Sequence, residues 1–224
     1  MIVFDLDDTL YKEQQYVDSG ICAVAYEAEL LGVLSKTDAY LLIKNAPDVA
    51  SGFDRLASIS AEAKISYDVN RMLDIYRYHL PNISLSVETQ DLLKTLLSRK
   101  VTLGIITDGR SATQRAKINA LGLIKYIAPD NILISAEIGA DKTKSTSFQL
   151  MMTRNPSETS FVYVGDNPAK DFYWPNKLGW QTFMLLDTLN INIHPQQFAE
   201  AEFCDTNYLP RNTISSLQEI LDQL

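Results

Sequence analysis

The chain has 224 residues, 46% hydrophobic and 21% charged, with a formal net charge of −8, which suits one large domain or a core carrying a smaller insert. That acidic balance, with no basic patch, argues against nucleic acid as a partner. No apolar stretch reaches the ~18 residues of a membrane span, and no secretory leader pattern opens the chain, so a cytoplasmic monomer or homodimer is expected. Two cysteines, Cys22 and Cys204, with no Cys/His cluster, exclude zinc and a disulfide framework. They read as reduced thiols, with a single Cys22–Cys204 bridge as the alternative.

The first predicted element is a buried strand, Ile2-Val3-Phe4. It runs into Asp5-Leu6-Asp7-Asp8-Thr9, where three carboxylates fall within four positions. Negative charge concentrated at a strand end calls for a metal, a phosphoryl group, or both. Residues 13–83 then read as helices. Ile21, Val24, Ala25, Ala28 and Leu31 recur at helical spacing, Leu41, Leu42 and Ile43 belong to a second helix, and Met72, Leu73 and Tyr76 to a later one. Breaks are expected at Gly32–Lys36, Asn45–Asp48 and Pro81-Asn82. A helical module is thus inserted directly after the acidic strand end.

Leu92, Leu93, Leu96 and Leu97 mark a helix leading into a second strand at 101–107. Further strands are predicted at 131–135, 161–165 and 181–186, with helices near 111–121, 145–153 and 168–178. Near-continuous apolar strands alternating with helices predict a doubly wound, mainly parallel α/β sheet. Its core comprises residues 1–12 and 84–224, with 13–83 as the separate helical module.

In an open parallel sheet, ligands bind at the carboxyl ends of the strands. The first strand ends in Asp5, Asp7, Asp8 and Thr9, the second in Thr107-Asp108-Gly109, and Lys142 follows the third. The fourth ends in Gly165-Asp166-Asn167-Pro168, with Asp171 beyond. Two carboxylates ~4 Å apart repel by about 4 kcal/mol at an effective dielectric near 20. Three such contacts approach the roughly 5–15 kcal/mol stability of a whole domain. The cluster is tolerable when protonated or when it holds a cation, and all-oxygen ligation favours Mg²⁺. Thr107, Lys142 and the backbone N–H groups of Asp108 and Gly109 form a phosphate cradle facing it.

These residues resemble the four motifs of the haloacid dehalogenase superfamily of phosphohydrolases. Asp5-Leu6-Asp7-Asp8-Thr9 matches the DxDx(T/V) motif, Thr107 the second, Lys142 the third, and Asp166 with Asp171 in GDNPAKD the fourth, all in order. The resemblance implies a Rossmannoid core and an inserted cap, Asp5 as nucleophile and Asp7 as general acid and base. It implies Mg²⁺ held by Asp5, the Asp7 carbonyl and Asp166, and phosphate held by Thr107 and Lys142. Thr9 and Asp171 would be supporting, Asp8 peripheral. The family often has Pro after its lysine; here Thr143 stands there. Lys117 and Lys144 are the rival lysines, and Lys117 reads as part of a solvated helix face. His79 and His194 read as structural.

A capped site implies a small phosphorylated substrate, with Tyr11, Lys12, Arg55 and Arg110 as candidate contacts. Thr107-Asp108-Gly109-Arg110 followed by Gln114-Arg115-Ala116-Lys117 resembles the subgroup containing N-acylneuraminate-9-phosphatase, which suggests a sugar phosphate. A dehalogenase usually lacks the second carboxylate of the first motif, so Asp7 favours a phosphatase. A phosphomutase or phosphotransferase using the same aspartyl-phosphate stays open. A receiver-type signalling module also gathers acid, Thr and Lys at strand ends, but has no place for a module after the first strand.

Overall fold

The computed structural model describes residues 1–196 and 205–223, so Cys204 lies outside the described residues, while Cys22 is a free thiol. The chain divides into two compact units, Gln14–Ile83 and the combination of Met1–Glu13 with Ser84–Leu224.

The larger unit is built on a six-stranded sheet. Its strands are β1 (Ile2–Phe4), β2 (Leu103–Thr107), β3 (Ile132–Ile134), β4 (Val162–Gly165), β5 (Gln181–Leu185) and β6 (Asn212–Ile214). They lie in the order β3-β2-β1-β4-β5-β6 and every neighbouring pair is parallel. The central β1 pairs Phe4 with Ile105 on one side and Val164 on the other. From β1 the chain order runs outward in both directions, so the switch point lies between β1 and β4. Asp5 and Asp166 leave the sheet there.

Every residue of β1, β2, β3 and β4 is buried, as expected for strands covered on both faces. One apolar layer joins Val3, Ile106 and Leu133 to Phe148 and Met151, the latter two on the helix Thr146–Arg154. Phe148 meets the rings of Tyr163 and Trp180 edge-on at 5.3 and 5.7 Å. Such pairs add about 0.5–1.5 kcal/mol each beyond area burial.

The smaller unit contains α1 (Gln14–Leu30), α2 (Lys36–Lys44), α3 (Val49–Glu62) and α4 (Val69–Tyr78). Its core gathers Ile21, Val24, Ala25 and Ala28 of α1 around Ile43, Phe53, Leu56, Tyr67 and Met72. Two of the expected breaks hold N-caps: Ser35 accepts the Asp38 N–H and Asp48 the Ser51 N–H. A side-chain oxygen there satisfies a donor the helix itself cannot, worth about 1 kcal/mol.

Helix α5 (Val87–Ser98) leads into β2, and α6 (Ser111–Ala120) follows it. One expectation needs correction, and one strand was not expected. The helix expected over 168–178 is only the five-residue stretch Tyr173–Lys177, because Asn167 and Asp171 tie the preceding segment into turns. Strand β6 escaped the sequence pattern because it is three residues long and only Ile214 is buried.

Candidate active site

The carboxyl ends of β1, β2 and β4, together with Lys142, line a polar cavity of about 120 Å³ in the larger unit. Asp5, Asp7, Thr107, Asp108, Lys142 and Asp166 all face it, as do Asp8, Glu13, Asn167, Lys170 and His194. Gly109 and Arg110 do not. They line a separate shallow depression with Ser135 and Lys144, and the Gly109 N–H is donated to Ser135 Oγ at 3.0 Å.

Lys142 is the electrostatic centre. Its ammonium lies 2.9 Å from Asp5 Oδ1 and 2.6 Å from Asp171 Oδ1, and all three groups are buried. Burial works against its charge, but Asp171 and Asp5 outweigh burial and hold it protonated well above the usual lysine range. Asp171, with no exposed surface, also accepts the Tyr163 hydroxyl at 3.1 Å and the Asn167 N–H at 2.9 Å. It is therefore a fixed counter-ion for the lysine. Asp108 accepts the backbone N–H of Lys142 at 3.1 Å and so anchors that loop to the end of β2.

Oxygens of Asp5, Asp166 and Asp171 lie within 4.8 Å of one another. Burial raises the Asp5 carboxyl well above its usual range despite Lys142. Burial, with Asp171 adding to it, pushes Asp166 up to about 7. Three carboxylates against one ammonium leave excess negative charge in a desolvated place. A small divalent cation with a preference for hard oxygen ligands fits this donor set.

Asp7 is held from three sides. Its Oδ1 accepts the Tyr11 hydroxyl and the Lys117 ammonium, both at 2.7 Å, and its Oδ2 accepts the Gln114 amide at 2.8 Å. Lys117, 3% exposed, also contacts Glu13 at 3.2 Å. The solvated-face expectation for Lys117 is therefore wrong. The acidic loop carrying Asp7 and Glu13 packs against that helix face. Tyr11 and Lys12 likewise turn to protein partners, Lys12 reaching Asn192 Oδ1 at 2.6 Å.

Asp8 adopts φ +55°, a left-handed conformation that Asp tolerates better than most residues. Its two oxygens accept the N–H groups of Glu13 and Ile193 at 3.0 and 2.9 Å, so it ties the acidic loop to the segment after β5. That segment also supplies Asn192, whose amide donates to Asp166 at 2.9 Å, and His194 in the cavity wall. His194, read from the sequence as structural, therefore stands beside the acidic cluster. Thr9 is buried and its hydroxyl finds no hydrogen-bond partner among the described residues. His79 and Arg55 belong to the helical unit. Sequence reading gave no site role to Gln114 or to the cavity-lining Glu13, Asn167 and Lys170. For Gln114 and Lys117 a signal existed: residues three apart share a helix face, here on the helix following the second motif.

Carboxylates and a buried lysine thus meet at the switch point of an open parallel sheet, with the Thr107 hydroxyl on the neighbouring strand end. Residues 2–185 match the family of haloacid dehalogenase-like hydrolases. The chain belongs to that family, and it is an enzyme of the phosphoric monoester hydrolase class. It is 28% identical to the glyceraldehyde 3-phosphate phosphatase of Methanocaldococcus jannaschii, over 99% of this chain and 95% of that one. It is 26% identical to the ribulose-1,5-bisphosphate 5-phosphatase of Halopiger xanaduensis, over 82% and 83% respectively. Among solved structures, the magnesium-bound hydrolase YfnB of Bacillus subtilis aligns with a TM-score of 0.63 at 18% identity, covering 100% of this chain and 97% of that one. Among the described residues no helix is long and apolar enough to cross a membrane.

Proposed function

We propose that this chain is a Mg²⁺-dependent cytoplasmic phosphatase acting on a small phosphorylated metabolite of the sugar phosphate kind, through an aspartyl-phosphate on Asp5. The observation that carries the reading is the buried Asp5–Lys142–Asp171 array beside Asp166, opening into the cavity that Asp7 and Thr107 also line. The two phosphatase relatives support the substrate class.

Asp5 attacks phosphorus in line. Lys142, kept charged by Asp171, opposes the protonation that burial favours at Asp5 and meets phosphoryl oxygens, as does Thr107. Asp7 protonates the leaving oxygen, then takes a proton from the water that releases phosphate. Asp5, Asp166 and the Asp7 carbonyl would hold Mg²⁺, which supplies positive charge against the transferred phosphoryl group. The helical unit Gln14–Ile83 is read as a cap that restricts the substrate to small molecules.

The test is a phosphate-release screen over sugar phosphates, triose phosphates and nucleotides, repeated with Asp5→Asn and Asp7→Asn. Asp5→Asn is expected to lose turnover and to form no acid-stable, base-labile protein phosphate. Asp7→Asn is expected to form that adduct from an activated aryl ester and hydrolyse it slowly. Wild-type turnover by Asp5→Asn would refute the nucleophile. Phosphate passing to an added sugar rather than to water would refute hydrolysis in favour of transfer.

A further inference from the structure

Two buried polar side chains on one face of α6 have no part in the roles above. Gln114 is 1% exposed and Lys117 3%. Burying a lysine costs several kcal/mol unless its charge is paired, and here Asp7 and Glu13 both pair with it. Gln114 uses both hydrogens of its amide: one goes to Asp7 Oδ2 at 2.8 Å and the other to Thr107 Oγ1 at 2.7 Å. The ionised Asp7 carboxylate, the form that takes a proton from water, only accepts, so the amide nitrogen is the end that faces it. Thr107 then accepts from Gln114, which leaves its own hydroxyl proton to be donated elsewhere. The backbone makes room for this bridge at Gly109. It sits at φ +147°, and a Cβ there would stand 3.0 Å from Gln114 Cγ.

We propose that Gln114 and Lys117 are positioning residues that act through Asp7 and Thr107. Lys117 and Gln114 clamp the two oxygens of Asp7 so that its carboxyl meets the leaving oxygen in one orientation, and Gln114 turns the Thr107 hydroxyl into a donor for the phosphoryl group. The inference rests on the acid/base role of Asp7 proposed above. Proton transfer needs hydrogen-bond reach, and misplacement by about 1 Å can cost about 10²-fold.

The experiment compares kcat/KM for an activated ester, p-nitrophenyl phosphate, with that for an alkyl ester, glycerol phosphate. A nitrophenolate leaves without a proton and an alkoxide does not. Lys117→Met and Gln114→Met are each expected to lower the alkyl rate at least about tenfold more than the aryl rate, within the about 10²–10⁴-fold attributed to general acid catalysis. In the Asp7→Asn background, Lys117→Met should leave that ratio unchanged within about twofold, the signature of coupling in a double-mutant cycle. A purely structural role lowers both esters by one factor, because fewer molecules are active, and that result overturns the proposal. Gln114→Met, which exchanges one neutral side chain for another, carries the test if Lys117→Met does not fold. Failure of both to fold would assign the pair to stability and overturn it as well. If Asp7→Asn itself leaves the ratio at its wild-type value, the acid/base assignment has failed, a result distinct from the first.

Discussion

Gly165→Ala is the most informative single change outside the reacting groups. Gly165 closes β4 immediately before Asp166, and a Cβ there would stand 2.6 Å from Asp171 Cγ and 3.0 Å from its Cβ. Carbon atoms settle about 3.5–4.0 Å apart, so one group must move by about 1 Å. Asp171 cannot move freely, since Lys142, Tyr163 and Asn167 all hold it. Overpacking alone costs about 1–3 kcal/mol, and breaking a buried ion pair costs about 3–5 kcal/mol. The expected loss is therefore about 3–5 kcal/mol, a large part of a domain's roughly 5–15 kcal/mol. Urea unfolding measures it: with a slope of about 1–3 kcal/mol per molar, the midpoint should fall by at least about 1 M. Gly104→Ala is the matched control. A Cβ there meets the mobile tips of Met1 and Met151 at 2.9 and 3.0 Å and the Asn131 carbonyl at 3.3 Å. Methionine tips can rotate away, so its cost should stay near about 1 kcal/mol. Phosphatase activity should fall with Gly165→Ala and persist with Gly104→Ala. Equal midpoints for the two variants would refute the claim that Asp171 is locked in place.

Chelation of divalent cations should abolish phosphate release. Adding Mg²⁺ back should raise the thermal midpoint of the wild type, because a ligand that binds only the folded state stabilises it. Asp166→Asn should lose that rise, measured by scanning fluorimetry with and without the ion. In the helical unit, burial lowers the His79 imidazole below its usual 6.5, and Nδ1 bonds the Tyr76 carbonyl at 2.8 Å while Nε2 has no partner among the described residues. The folded state therefore favours the neutral ring, and the unfolded chain takes the proton first. Stability is complete above about pH 6.5 and declines as pH falls from there toward the lower folded value. Denaturation midpoints at pH 7.5 and 5.5 should show this loss in the wild type and a smaller one in His79→Gln.

Local periodicity made the alternating architecture legible in the sequence. A buried strand needs only a few consecutive apolar residues, and an amphipathic helix only a repeat within a few turns. The polar residues at each strand end could be read in order for the same reason, since topology brings the ends of parallel strands to one edge. Ser35 and Asp48, at the expected breaks, cap their helices through bonds to residues three positions on. The short β6 was not legible, because three residues with one buried side chain carry no period.

The amino-acid order alone thus pointed to five of the six strands, the helices between the first two, and the acidic strand ends. Tertiary structure alone decided how those groups are held. Lys117 looks solvent-facing within its own helix and becomes buried only because Asp7, 110 positions earlier, packs against it. His194 joins the cavity because Ile193 bonds Asp8, 185 positions away. Contact ion pairs and hydrogen bonds form over about 3 Å in space and are indifferent to separation along the chain. Which carboxylate meets which cation is therefore set by the fold that brings them within 3 Å, not by the spacing of their codons.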